Sequence, residues 1–392
     1  MIIFKSFKFR LKTNSIQQAI MRNFAGGCRF VWNKILATQK ERLEAEKSCM
    51  NYSTMAAELV IWKQQEETVF LKEVHSQILQ QKLMDLSQAL KEAFDKTNPK
   101  QFPRFKKKGR NIDSFRYPQG FKIEEGNNRV FLPKIGWVRY INSRRIEGTP
   151  KNVTVKRDGE HWYVSIQTEQ EIEEPVHASK SEIGIDVGIV QFATLSDGTV
   201  IRPINSLRKH ESKLRKEQRK LSRKTKFSNN WKKQLKKVQN CHKRIRDVRN
   251  DFLQKTTTEI SKNHAIIVVE DIKTANMSKS SSGTKENPGK NVKAKSGLNK
   301  SILDQGWYEF RRQLEYKQNW RGGEVIAIDP KYTSQRCSKC GEQSTENRKT
   351  QERFACVFCE HEENADLNAA KNILAAGRAV LVCGGLDVSK SA

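Results

Sequence analysis

Four cysteines constrain this chain more tightly than any other feature. Cys337-Ser-Lys-Cys340 and Cys356-Val-Phe-Cys359 are two CxxC pairs separated by fifteen residues. Each pair can place two thiolates on one tight turn, and two such turns close a tetrahedral site with the spacing of a zinc ribbon. With no vacant ligand position the metal is expected to be structural, one Zn²⁺ folding roughly thirty residues that could not build a core alone. Two disulfides or an iron–sulfur centre are the competing uses of such a set, and His361, just beyond the last cysteine, is a competing ligand. The N-terminus, MIIFKSFKFRLK, alternates basic and apolar residues without the continuous apolar core of a signal peptide. A cytoplasmic setting is therefore expected, where thiols stay reduced and clustered cysteines bind metal. Cys28, Cys49, Cys241 and Cys383 are scattered and are expected to be inert or buried thiols.

Charge supplies the second constraint. The 392 residues carry 73 Lys plus Arg against 44 Asp plus Glu, a formal +29, which points to a large polyanionic partner. No window reaches the roughly 18 uninterrupted apolar residues of a membrane span, and the most apolar stretch, Ile373 to Cys383, is broken by Gly377 and Arg378. The excess is concentrated: Leu207 to Asn250 holds 18 Lys plus Arg and three acids, about half of the net charge. Leu207, Leu214 and Leu221, then Leu235, Val238, Ile245 and Val248, fall at helical spacings, with Ser228-Asn229-Asn230 as the turn. This reads as a helical hairpin, apolar on one side and cationic elsewhere. A solvated face would alternate charge signs, so nucleic-acid contact is the reading. Phe102, Phe105, Phe115 and Tyr117 lie among basic residues and could stack bases or pack in a core.

The texture of the chain changes along its length. Phe4, Phe7 and Phe9 suggest a half-buried strand, Gln17 to Lys47 and Met55 to Phe94 read as helical, and Leu79, Leu83, Leu86, Leu90 and Phe94 form an amphipathic stripe ending at Asn98-Pro99. From Phe102 to Arg157 short runs with turns predict a small antiparallel β domain, with Asp158-Gly159 as a hairpin signal. Glu169 to Lys180 is acidic, contains Pro and lacks periodicity, the marks of a linker. Beyond it SEIGIDVG, QFATLSDGTVI, HAIIVVED and GEVIAIDP are strand-like and alternate with helical stretches, the pattern of an α/β half.

Three carboxylates stand out in that half. Asp186 interrupts an apolar strand, Glu270 closes another, and Asp366 opens the helical ENADLNAAKNIL. A buried carboxylate is costly unless it meets a cation or donors. Alone, each has an ordinary explanation, strand-end acids being common and helix-start acids being favoured by the dipole. Together, an acid on the first strand of a hairpin, one closing a later strand and one at the start of a final helix match an RNase H-like fold. There, converging carboxylates hold two Mg²⁺ ions that activate water and stabilise a leaving oxygen. Asp197, Asp271 and Asp329 are read as local structural acids.

The chain also resembles the TnpB proteins of bacterial insertion sequences, which are RuvC-type, RNA-guided DNA endonucleases related to type V CRISPR effectors. The resemblance rests on FRLKTNSIQQ, CRFVWNKILA, FPRFKKKGR, FRYPQGFKI, GIDVGIVQFATLSDG, VVEDIKTANM, LNKSILDQGWYEF, YTSQRCSKCG and NADLNAAKNIL, in that order over nearly the whole chain. It implies a catalytic, Mg²⁺-binding triad of Asp186, Glu270 and Asp366 and zinc ligands Cys337, Cys340, Cys356 and Cys359. The implied fold is an α/β RNase H-like (RuvC) nuclease core with an inserted zinc ribbon, plus an N-terminal β-barrel (wedge) and an α-helical recognition domain. The corresponding segments are 1–15 and 110–170 for the barrel, 16–109 for the recognition domain, 171–180 for a linker, 181–332 and 361–392 for the nuclease, and 333–360 for the ribbon. Implied partners are a guide RNA from the element's end and double-stranded target DNA with an adjacent motif, handled by a monomeric complex at the nucleoid with no membrane contact. The implied cleavage leaves a 3′-hydroxyl and a 5′-phosphate, in an element that moves by DNA recombination. Two positions depart from the family: Glu360, where Gly often follows the last zinc cysteine, and Gln191, where a basic residue is frequent. The rival readings are a nuclease-inactive RNA-guided DNA-binding regulator, against which the complete triad argues, and a transposase of the same fold. No obvious helix-turn-helix reader is visible for the latter.

Overall fold

A computed structural model describes residues 1–97, 100–109, 111–284 and 286–382. The helix end expected at Asn98-Pro99, the domain boundary at Arg110, Cys383 and the last ten residues of the expected nuclease segment lie outside them. The chain divides into two compact units, Met1–Glu173 and Glu174–Ala392.

In the first unit β1 (Ile2–Lys12) buries Phe7, Phe9 and Leu11 on one face by simple alternation. A capping box starts α1 (Ser15–Glu44): Asn14 Oδ1 accepts from the Gln17 amide at 2.8 Å and Gln17 Oε1 accepts from the Asn14 amide at 3.2 Å. The continuous helix expected from Met55 to Phe94 is instead two, α2 (Tyr52–Gln64) and α3 (Ser76–Ala93), joined through a 3₁₀ turn at Glu66–Lys72. The Thr68 hydroxyl donates to the Trp62 carbonyl at 2.5 Å, taking over an acceptor that a further helical turn would have used. Leu79, Leu83, Leu86 and Leu90 are buried as the stripe requires. Phe94, its expected fifth member, is 54% exposed because α3 stops one residue before it.

Strands β2 (Ser114–Tyr117), β3 (Lys122–Glu124), β4 (Arg129–Leu132), β5 (Gly136–Ile141), β6 (Thr149–Asp158) and β7 (His161–Glu171) complete an antiparallel sheet with β1, in the order β2-β6-β7-β1-β5-β4-β3. Its ladder runs in one open series, so among the described residues the implied barrel is not closed by hydrogen bonds between β2 and β3. Among the described residues, the FPRFKKKGR run, expected to begin the β texture, carries no strand, and the first strand after it starts at Ser114. Asp158 pairs with His161 across the expected hairpin, where Gly159 supplies the positive φ of 62°. Phe115 and Tyr117 are buried, which assigns them to packing, while Phe105 is 43% exposed.

The second unit begins with a tethered segment: the His177 ring contacts the carbonyl oxygens of Ser179 and Ser261 at 3.1 and 2.9 Å. Its sheet contains β8 (Glu182–Val187), β9 (Ala193–Leu195), β10 (Val200–Ile201), β11 (Ile266–Glu270) and β12 (Glu324–Ile328), in the order β10-β9-β8-β11-β12. The first three are antiparallel, and β11 lies parallel to both β8 and β12. Between them come α4 (Ser206–Ser222), α5 (Asn229–Asn263), α6 (Thr274–Met277), α7 (Val292–Gln305) and α8 (Trp307–Asn319); a small hairpin, β13 (Arg353–Ala355) and β14 (Glu362–Asn364), precedes α9 (Ala365–Val382). The expected cationic hairpin is α4 with the first half of α5. Its turn falls a few residues earlier than read, because Ser228 caps α5 by accepting from the Trp231 amide at 3.1 Å. The helical stretch between HAIIVVED and GEVIAIDP is broken into α7 and α8 at Gly306, whose φ is 75°.

Helix α9 lies unusually close to β8. A Cβ on Gly184 would sit 2.2 Å from the Ala370 carbonyl oxygen, and one on Gly377 would sit 2.4 Å from Val268 Cγ2. Glycine at the first contact lets the helix carrying Asp366 approach β8, which carries Asp186, and glycine at the second lets it approach β11, which carries Glu270. No helix among the described residues is long and apolar enough to cross a membrane.

Candidate active site and metal centre

Parallel pairing brings the first two acids side by side. Ile185 is opposite Val269, and Asp186 and Glu270 are the next residues on β8 and β11. Asp366 lies in the first turn of α9, but it is not the cap: Asn364 Oδ1 accepts from the amides of Asp366 and Leu367 at 3.0 and 3.1 Å. Its carboxylate is thereby free to meet Arg348, whose Nη2 is 3.2 Å from Asp366 Oδ1. Glu270 Oε1 accepts from the Thr333 hydroxyl at 2.6 Å.

The electrostatics express this convergence. Burial pushes the Asp186 carboxyl up to about 7; the charges of Glu270 and Asp366 push the same way, and Arg348 opposes them. Glu270 is raised by burial, against the Thr333 hydrogen bond and Arg348. Three acids with one opposing guanidinium make a site short of positive charge, and oxygen donors of this kind suit a hard divalent cation. A cleft of about 1270 Å³ borders Glu270 and Val187 and continues past Lys273 and Lys331. The other acids have local partners: Asp271 pairs with Arg311, Asp329 accepts from the Lys331 amide at 3.1 Å, and Asp197 accepts from the Thr199 amide at 2.8 Å.

The four cysteines also converge, their sulfur atoms all lying within 4.8 Å of one another. Metal–sulfur bonds of about 2.3 Å in a tetrahedron require edges of about 3.8 Å. The Sγ atoms of Cys337 and Cys359 are 3.7 Å apart, and those of Cys340 and Cys356 are 3.6 Å apart. Disulfide sulfurs would be about 2.05 Å apart, so the pairing alternative fails and a single ion of zinc's size fits. His361 stands outside the set, with Nε2 3.6 Å from Glu363. Both knuckles close alike: Cys337 O accepts from Gly341 N at 3.0 Å and Cys356 O from Glu360 N at 3.1 Å. Gly341 has φ 80° and Glu360 φ 57°, so Glu360 occupies the left-handed position that glycine would fill without strain.

Polar side chains absent from the sequence reading join the two centres. Asn347 spans the knuckles, donating to Gln335 O at 3.0 Å and accepting from Val357 N at 2.9 Å. Buried Asn368 on α9 accepts from Ser338 N at 2.9 Å and donates to Arg336 O at 2.8 Å; Asn372 donates to Thr333 O at 2.9 Å and Arg336 O at 2.7 Å. The cysteine unit is thus stapled to the helix bearing Asp366, and the same unit supplies Arg348 and its flanking Thr333. Only the spacing of Asn368 and Asn372, four apart on one helical face, hinted at this.

Comparison with known proteins follows the same division. Family models match residues 165–281 (described as "Probable transposase"), 307–373 ("Cas12f1-like, TNB domain") and 1–48 ("Helix-turn-helix domain"). The chain is 56% identical over 380 residues to "Putative RNA-guided DNA endonuclease InsQ" of Escherichia coli (strain K12), covering 97% of this chain and 94% of that protein. The chain belongs to the TnpB family. It is also 34% identical over 389 residues to "Putative RNA-guided DNA endonuclease" of Streptomyces pristinaespiralis, covering 97% of this chain and 91% of that one. A shorter likeness, 49% over 71 residues, links 18% of this TnpB chain to 17% of "CRISPR-associated endodeoxyribonuclease Cas12f1" of Sulfoacidibacillus thermotolerans. Despite the description of the model matching residues 1–48, this TnpB chain folds there as strand β1 followed by the single long helix α1, not as two helices about a turn.

Proposed function

We propose that this TnpB-family chain is an RNA-guided DNA endonuclease of a transposable element, hydrolysing phosphodiesters at a site where Asp186, Glu270 and Asp366 would hold two Mg²⁺ ions. The observation that carries the site is the placement of the three carboxylates, Asp186 and Glu270 side by side at the ends of paired parallel strands and Asp366 on the first turn of α9; burial first, then the charges of Glu270 and Asp366, raise Asp186 to about 7 against Arg348 and a backbone hydrogen bond at Val187. Bound there, magnesium supplies an activated water and positive charge for the leaving oxygen. The chain's own contribution is positioning. The Thr333 hydroxyl fixes one oxygen of Glu270, the Asn364 cap frees Asp366 from helix capping, and Arg348 places a guanidinium where phosphate charge accumulates.

In this reading the four cysteines would hold one structural Zn²⁺, which would supply the cross-link between the knuckles. The knuckle segment carries Arg348 and Thr333, and Asn368 and Asn372 tie it to α9. The domain layout is that implied by the family: barrel 1–15 and 110–170, recognition helices 16–109, linker 171–180, nuclease 181–332 and 361–392, ribbon 333–360. The front half takes the guide RNA and the motif beside the target. The α4/α5 hairpin holds RNA–DNA duplex through charge and shape, sequence being read by base pairing.

The test is to express the protein with its native flanking DNA, sequence the co-purified RNA, and challenge the complex with plasmids randomised beside a matched target. A defined RNA and depletion of plasmids sharing one motif are expected. Recovery of no defined RNA would overturn the guided reading, and joined rather than cut products on labelled element ends would favour a transposase.

A further inference from the structure

The far end of the cationic hairpin carries two aromatic residues that no core uses. The hairpin has its own small core of Leu214, Val238, Cys241 and Ile245, with Leu207 and Leu221 packed against it. Phe227 and Trp231 lie beyond it. Phe227 is 66% exposed and sits at φ 70°, a left-handed backbone rarely used by a bulky residue, in the turn between α4 and α5. Its ring meets that of Trp231 edge-on, with centroids 5.5 Å apart at 60°, and Lys226 Nζ lies 5.2 Å from its centre. The turn is ordered by hydrogen bonds, Ser228 N donating to Thr225 O at 3.2 Å and Lys232 N to Ser228 O at 2.9 Å.

The surroundings select the partner. From Gln218 to Arg246 the sequence has twelve Lys or Arg and no Asp or Glu. A lipid surface or an apolar peptide would meet this excess of charge around only one exposed ring. A nucleic-acid strand offers both a phosphate backbone for the cations and a flat π-face for the ring. We propose that the Phe227–Trp231 tip is a stacking site for an unstacked nucleobase, at the end or junction of a nucleic-acid duplex held along the hairpin. The proposal rests on the nucleic-acid reading given above and adds a defined contact to it.

The experiment uses the full-length protein and duplexes with a single-stranded overhang containing 2-aminopurine, in RNA and DNA versions, beside blunt duplexes of equal length. Wild type should quench the probe. Phe227→Ala should weaken binding of overhang substrates on the order of 5- to 150-fold, the range of one lost base–aromatic stack, with little effect on blunt duplex and an unchanged salt slope. Phe227→Tyr should restore binding. The double variant Lys224→Ala/Lys226→Ala should weaken every substrate and flatten the salt dependence. The RNA and DNA arms identify the strand concerned. Equal affinity of wild type and Phe227→Ala for overhangs, or an equal loss on blunt and overhang substrates, overturns the stacking site while leaving the hairpin's electrostatic role intact. Failure of wild type to bind any of the duplexes overturns both readings.

Discussion

Replacing Asp186 with Asn should stabilise the protein in the absence of divalent ions while destroying its activity. In the folded state the Asp186 carboxyl titrates at about 7 against 3.8 for a free side chain, because burial and two neighbouring carboxylates oppose its charge. Each pH step of one is worth about 1.36 kcal/mol, so keeping this group charged costs the fold up to about 4 kcal/mol at pH 8. The sign follows from linkage. Between pH 3.8 and 7 the native state holds this proton more than the unfolded chain does, so stability falls as pH rises through that window and levels off above it. Asn carries no charge and escapes the cost. Urea unfolding of both proteins, zinc retained and no magnesium added, should show the variant more stable by about 2 kcal/mol at pH 5.5 and by up to about 4 at pH 8. Magnesium should close the gap by stabilising wild type alone. A variant no more stable than wild type at pH 8, or a gap independent of pH, would refute the claim that the three carboxylates crowd one another.

Three further substitutions and one control probe the supports of the site. Arg348→Ala should lower DNA cleavage by about 10²-fold, the usual effect of removing one preorganised charge from a reacting phosphate, with RNA binding unchanged; a fully active variant would make Arg348 a structural residue only. Glu360→Gly should relieve the left-handed strain at the second knuckle by about 1 kcal/mol, seen as slower release of zinc to a chromophoric chelator, and faster release would contradict the strain. Gly184→Ala should lower the melting temperature and the cleavage rate together, because its Cβ would meet the backbone of α9. Gly297→Ala, in a helix with nothing within 4 Å of the new Cβ, should gain about 0.5–1 kcal/mol. Equal effects of the two would show that backbone propensity, not the close approach of α9, sets the outcome.

The parts of the site legible in sequence were those whose chemistry breaks a local pattern. Asp186 and Glu270 stood out because one interrupts and the other closes an apolar strand, and the cysteines because CxxC spacing has few other uses. Arg348 and Thr333 carry no such signal: each lies in an irregular segment between the last sheet strand and α9, and acquires meaning only when α9 docks against β8. Asn368 and Asn372 are ordinary helix residues until the carbonyls of Thr333 and Arg336 arrive beside them. The fold shows the same division. Periodicity located the α4/α5 hairpin and the buried Leu stripe of α3, but not the break after Gln64, which depends on a hydroxyl four residues further on. Nor did it show that Phe94 falls just past a helix end. The open edges of the first sheet depend on long-range pairing, and residue alternation is silent about closure.

The central claim is that Asp186, Glu270 and Asp366 form the centre that cuts DNA. Its most direct measurement is cleavage of a matched, radiolabelled DNA duplex by the purified ribonucleoprotein, with wild type and Asp186→Ala side by side in magnesium. Wild type should cut at defined positions, leaving 3′-hydroxyl and 5′-phosphate ends, and the variant should bind the same RNA and DNA without cutting. Cutting by Asp186→Ala at the wild-type rate would contradict the account.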